Sequence, residues 1–154
     1  MDEKNYITEE KEQSLIEELK HLKTIKRKEI IERIDEARAL GDLSENAEYH
    51  QAREEQGRNE DRINQIESIL KNSVIVKKHS SSIAEIGTTI VVKKGNTNEE
   101  IVYHLVGSEE ADLTQNKISN KSPLGQALFG KKKGDEVSIE TPKGLVKYTL
   151  IDIQ

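Results

Sequence analysis

The stretch GDLSENAEYHQAREEQG, residues 41–57, stands between two segments of helical periodicity and decides how the first half of the chain is read. On its N-terminal side, residues 8 to about 40 read as one helix. Thr8 is placed to cap it, and Glu9, Glu10 and Glu12 fall in the first turns, where the helix dipole favours acids. Leu15, Leu19, Leu22 and Ile25 recur at three- or four-residue steps. The stripe resumes at Ile30, Ile34 and Ala37 after the basic run Lys26-Arg27-Lys28. No Gly or Pro interrupts until Gly41, which suits the position just past a helix end. A second helix is expected from about 44 to 72, clearest at Ile63, Ile66, Ile69 and Leu70 and thinning to Ala47 and Ala52 near its start.

Two long helices joined by a short turn pack as an antiparallel hairpin. Folding about residues 41–44 sets Leu22 opposite Ile66, Ile25 opposite Ile63 and Ala37 opposite Ala52. An arm of about 30 residues at ~1.5 Å per residue reaches roughly 45 Å. Its seam is rich in Leu and Ile at the base and in Ala towards the turn, so packing alone gives little reason for the far end to exist.

The pattern changes after Val76. Residues 77–82, KKHSSS, are polar and aperiodic and read as a linker. Strand-like runs follow at Thr88 to Lys93, Ile101 to Val106, Glu136 to Thr141 and Leu145 to Ile153, with Gly95-Asn96 and Lys143-Gly144 marking hairpin turns. Ser122 and Pro123 open a short helix to Leu128. The fold class expected is α+β: a helical coiled-coil arm at 1–76 with an acidic tip at 41–48, then a mostly antiparallel β domain with one short helix at 77–154.

Composition narrows the function classes. The 154 residues are 34% charged and 3% aromatic, with no Cys, so neither a disulfide framework nor a thiolate metal site is available. Residues 1–76 carry 19 acids against 13 bases and residues 77–154 carry 10 against 11, which marks two units of different character. An acidic chain of net charge −5 lacks the basic footprint of a general duplex-DNA binder. The start, Met-Asp-Glu-Lys, has no apolar run behind it, and no apolar run approaches membrane-spanning length. A cytoplasmic, monomeric protein without membrane attachment is expected.

Asp42-Leu43-Ser44-Glu45 has two readings. In one it is a capping box, Asp42 accepting from a backbone N–H and Glu45 reaching back. In the other the two carboxylates are displayed for a partner. A calcium loop is excluded, because its glycine position would be Ala47 and its last ligand Arg53. The tip has no companion nucleophile or water-excluding wall, so it can only complete a site built elsewhere. Hard carboxylate oxygens suit Mg²⁺, and a second carboxylate can orient or deprotonate water. His21, His50, His79 and His104 show no ligand spacing. Tyr49 either packs across the hairpin or stacks on a base. Arg53, Arg58 and Arg62 form a stripe that is either solvated and paired with Glu or meets phosphate. Lys131-Lys132-Lys133-Gly134 reads as a solvated turn. No phosphate loop, nucleophile elbow or HExxH occurs.

These residues resemble a known family. Gly41 to His50, flanked by Ala37-Arg38 and Arg53-Glu54-Glu55-Gln56-Gly57, is similar to the signature of the bacterial Gre transcript-cleavage factors, in the GreA form. Ser122-Pro123-Leu124-Gly125-Gln126-Ala127-Leu128-Phe129-Gly130-Lys131, Gly134-Asp135 and Thr141-Pro142 extend the resemblance over nearly the whole chain. Leu43 stands where the GreB branch typically has a basic residue. Arg58 and Asp61 depart from the apolar and small residues common in the family.

The resemblance implies a coiled coil joined to an FKBP-like domain, and a factor that is not itself an enzyme. It implies that the globular domain docks at the rim of the bacterial RNA polymerase secondary channel, with Ser122 and Pro123 near the docking surface. The arm then brings Asp42 and Glu45 to the active centre, where the polymerase hydrolyses its own backtracked RNA. Asp42 would help hold a weakly bound second Mg²⁺ shared only in the complex, Glu45 would position or activate the water, and Arg53 would approach the RNA 3′ segment. The protein alone is expected to hold no cofactor. A relative of the same architecture that enters the channel and inhibits is the alternative, though such relatives tend to carry additional tip acids that this chain lacks. A prolyl isomerase is disfavoured, because Phe129, Tyr103 and Tyr148 are too few to line an aromatic pocket.

Overall fold

The computed structural model describes residues 4–42, 44–95 and 97–154, so the GreA-type reading of Leu43 and the Asn96 half of the Gly95-Asn96 turn lie outside the described residues. The chain forms two compact units. One is Glu12–Asn72; the other combines the residues up to Lys11 with Ser73–Gln154.

The first unit is the helical hairpin. Thr8 caps α1 (Glu9–His21) as expected, its Oγ1 accepting from Lys11 N at 3.2 Å. The helix continues through one π-helical turn, Leu22–Lys26, into α2 (Arg27–Ala39), and α3 (Ala47–Asn72) returns. Buried Leu15, Ile30, Ile34 and Ala37 on the outward strand of the hairpin face a return stripe of Ala52, Asn59, Ile63, Ile66 and Ile69. Ile30, Ile34 and Ala52 form a cluster with Tyr49 packed against it, so Tyr49 packs across the hairpin. Ion pairs Arg27–Glu60 (2.7 Å), Arg33–Glu55 (2.6 Å), Arg62–Glu18 (2.7 Å) and Lys23–Glu67 flank the seam.

Ile25 corrects the expected stripe. It is 52% exposed, and half-buried Lys26 takes the seam position, bonded to Glu55 at 2.6 Å. Between Leu22 and Ile30 the seam advances about 8 residues in two turns, where an α-helix covers about 7.2. The π turn, closed by Arg27 N–H donating to Leu22 O, takes up the difference and leaves Ile25 on the outer face.

The second unit draws on residues before the arm as well as after it. Strands β1 (Asn5–Thr8) and β2 (Ser73–Val76) pair in parallel and belong with the globular residues, not with the arm. Ile7 is 1% exposed there, and Tyr6 O runs so close to Gly107 that a Cβ at that position would lie 1.5 Å from it. Buried Glu110 accepts from Thr8 N at 3.2 Å and from Thr8 Oγ1 at 2.9 Å, with Lys117 Nζ 3.6 Å away.

A five-stranded sheet carries the core. Its strands are β3 (Thr89–Lys94), β4 (Glu100–Val106), β5 (Lys117–Ser119), β6 (Glu136–Thr141) and β7 (Gly144–Ile153), in the order β5-β4-β3-β7-β6. All pairings are antiparallel except β4 with β5, a three-residue strand not foreseen, so the sheet is mixed. The alternation of buried and half-buried residues along β3 sends Ile90 and Val92 inward. They join Ala84, Leu105, Ile118, Val137 and Leu150, and α4 (Pro123–Leu128) closes this core with Leu128, 0% exposed. No helix among the described residues is long and apolar enough to cross a membrane.

Candidate functional site at the hairpin tip

Two helix ends and a short loop build the tip. Helix α2 stops where Leu40 N donates back to Ala37 O at 3.2 Å and Gly41 turns the chain at φ +124°, a conformation that side-chain-bearing residues rarely adopt. Asp42 then folds the loop on itself. Its Oδ1 accepts from Ser44 N and from Ser44 Oγ, both at 3.0 Å. Those bonds, the backbone one first, favour the charged form and hold the Asp42 carboxyl below its ordinary value. Oδ2 of Asp42 and both oxygens of Glu45 accept no hydrogen bond among the described residues, and both side chains are exposed.

The capping box is not formed. Helix α3 starts later than expected, at Ala47, and its cap is Asn46, whose Oδ1 accepts from Tyr49 N at 3.0 Å. The first helical bond follows, His50 N donating to Asn46 O at 3.1 Å. Asn46 Nδ2 donates across the turn to Ala37 O at 2.6 Å. Of the two readings of Asp42 and Glu45, the capping box fits the D-x-x-E spacing, but the cap falls to Asn46, immediately before the first helical residue. Capping by Asn46 leaves Asp42 Oδ2 and both oxygens of Glu45 without a hydrogen bond among the described residues.

Around the tip, Arg38 lies 5.9 Å over the Tyr49 ring, and His50 meets that ring edge-on with Nε2 3.5 Å from Ser44 O. The three arginines of the stripe separate. Arg58 pairs with Glu54 at 2.5 Å and Arg62 with Glu18 at 2.7 Å, whereas the hydrogen bond of exposed Arg53 goes to the neutral Gln56 Oε1 at 2.6 Å. Small Ala37 and Ala52 leave a shallow groove of about 230 Å³, lined also by Arg33, Glu36, Glu48 and Gln51. No cluster of three or more potential metal ligands exists among the described residues. Two carboxylates with open oxygens have the chemistry for Mg²⁺ but supply too few donors to hold it unaided.

Away from the tip, Ser122 caps α4, accepting from Gly125 N at 3.1 Å and donating to Ser119 O at 2.7 Å. Its hydroxyl is therefore occupied internally, while Pro123 at the first helical position is exposed. Phe129 is 49% exposed, and Tyr103 and Tyr148 pack against the core.

Two family models cover the chain in order. The family "Transcription elongation factor, N-terminal" matches residues 5–75, and "Transcription elongation factor, GreA/GreB, C-term" matches residues 79–154. Transcription elongation factor GreA of Thermoanaerobacter pseudethanolicus is 47% identical over 150 residues, 96% of each chain. That of Clostridium acetobutylicum is 46% identical over 155 residues, 99% of this chain and 98% of its own. The crystal structure of a GreA factor homolog 1 protein of Thermus thermophilus aligns over 98% of this chain and 99% of its own, at 27% identity and TM-score 0.45. With both halves matched in order and full-length relatives at this identity, the chain belongs to the GreA/GreB family of transcription elongation factors, on its GreA side.

Proposed function

We propose that this elongation factor enters the secondary channel of bacterial RNA polymerase and lends Asp42 and Glu45 to the polymerase's hydrolysis of backtracked RNA, releasing 3′ fragments and rescuing arrested complexes. The observation that carries the reading is the pair of exposed carboxylates at the tip, neither of which caps α3, since Asn46 does. Asp42, kept ionised by Ser44, would present Oδ2 to a Mg²⁺ held jointly with polymerase groups. Bound there, the ion would neutralise charge developing on the scissile phosphate. Glu45 has both oxygens open to orient the attacking water and accept its proton. Arg53, whose hydrogen bond is to a neutral amide, keeps its charge for the phosphates of the RNA 3′ segment. Pro123 and its surroundings on α4 would meet the channel rim, with Ser122 fixing that helix from within. Neither carboxylate forms a complete site, so the chemistry belongs to the polymerase.

A stalled, backtracked elongation complex with end-labelled RNA tests this. Wild-type protein is expected to shorten the RNA from its 3′ end. Asp42→Asn and Glu45→Gln are expected to bind equally well and to lower the cleavage rate by about 100-fold or more, the scale set by loss of a group acting in the transition state. Wild-type protein that binds yet blocks cleavage and extension would establish the inhibitory alternative instead.

A further inference from the structure

Asn46 makes the bond that closes the tip. Its amide spans the two helices, with Oδ1 on Tyr49 N of α3 and Nδ2 on Ala37 O in the last turn of α2. The amide carries its acceptor and its donor on two separate atoms, which lets one short side chain serve both helices at once. The reverse orientation would set Oδ1 against the Ala37 carbonyl and Nδ2 against the Tyr49 N–H, so the network fixes which way it points. The tie closes the turn between the two helix ends. Inside it Asp42 is held by Ser44, and Ser44 O lies 3.5 Å from His50 Nε2.

We infer that Asn46 is the positioning residue of the tip. Its tie to Ala37 holds the turn in the geometry in which Asp42 meets the polymerase metal and Glu45 the attacking water, so the pair arrives ordered. The inference rests on the in-trans reading above. Without the tie the loop hangs from Gly41 alone on its α2 side, and Gly41 resists rotation least of any residue. Displacing a reacting group by about 1 Å costs roughly 100-fold in rate, which makes such a tie a large lever on cleavage without any contact to RNA or metal.

Two variants separate positioning from folding. Asn46→Ser keeps a good helix cap but is too short to tie. Asn46→Asp keeps size and cap and replaces the donor with a charge. Cleavage rate at saturating factor, the Mg²⁺ concentration giving half the maximal rate, competition for polymerase and helix content by circular dichroism are measured together with Asp42→Asn. Expected for both Asn46 variants are wild-type helix content and polymerase binding, a cleavage rate about 10- to 100-fold lower, and a higher Mg²⁺ requirement. Wild-type rate and Mg²⁺ dependence in either variant overturns the inference while Asp42→Asn still fails, leaving the in-trans reading intact. A rate loss matched by loss of binding, at unchanged Mg²⁺ dependence, reduces Asn46 to a structural cap and also overturns it. Wild-type protein that does not stimulate cleavage overturns both.

Discussion

Asn59 sits in the hairpin seam at 7% exposure, its Nδ2 3.3 Å from Leu22 O and its Oδ1 without a protein partner among the described residues. Leu22 O already accepts from Arg27 N–H across the π turn, so the amide adds little that the carbonyl needs. A buried acceptor left unpaired costs about 1–3 kcal/mol. Asn59→Leu is therefore expected to stabilise the arm by roughly 1 kcal/mol, read as a higher urea midpoint of the helical signal. Leu128 is the opposite case. It is 0% exposed at the centre of the globular core, and Leu128→Ala is expected to cost about 2–5 kcal/mol, seen as a lower melting temperature of the sheet signal. Gly125 marks the limit of tolerance nearby. A Cβ there would lie 1.9 Å from Ser119 O, so Gly125→Ala must push α4 off the sheet and is expected to weaken polymerase binding as well as stability.

Along the arm, ion pairs flank the apolar seam. Glu55 lies between Arg33 and Lys26, both at 2.6 Å, and these partners, Arg33 first, hold its carboxyl down at about 2 against an ordinary 4.5. A depressed folded value means that the unfolded chain takes up the proton first. The stabilisation is complete above about pH 5 and is lost as pH falls from 4.5 towards 2. Glu55→Gln is expected to cost about 1 kcal/mol at pH 7 in denaturant melts, with the difference from wild type vanishing near pH 2. Leu15, Ile30, Ile34, Ile63 and Ile66 were readable because apolar residues at helical spacing must find one another. Ile25 was not, because a single π turn shifts the seam to Lys26 and leaves no mark in the local pattern. At the tip, Asp42 and Glu45 were legible as chemistry, but which residue caps α3 was not, since Asp and Asn cap equally well and only the loop decides between them. Strands β1, β2 and β5 were missed because four or three residues carry no period, and β1 finds its partner 68 positions away, Asn5 opposite Ser73.

The whole molecule is a globular unit interrupted by an arm. Residues up to Lys11 belong with Ser73–Gln154, so Glu12–Asn72 is an insertion between two neighbouring parallel strands. Removing residues 1–8 would uncover the site of Ile7 and leave buried Glu110 without its Thr8 donors. The expected result is a globular unit destabilised by about 2–4 kcal/mol while the hairpin keeps its helicity, a separation that calorimetry and circular dichroism can resolve.

That insertion has a consequence for biosynthesis. The ribosome delivers β1 first, yet its partner strand and the Gly107 and Glu110 contacts emerge only after the whole arm and much of the sheet have been made. The arm needs only contacts within itself and can zip up as soon as it leaves the exit tunnel, drawing the two ends of a 61-residue excursion together before the sheet asks for them. The helical hairpin would thus serve as an intramolecular clamp during synthesis. In pulse-labelled hydrogen exchange on refolding chains, the amides of Tyr6 and Ile7 are expected to gain protection after those of α2 and α3, and Ala37→Gly and Ala52→Gly, which loosen the zipper, are expected to delay them further.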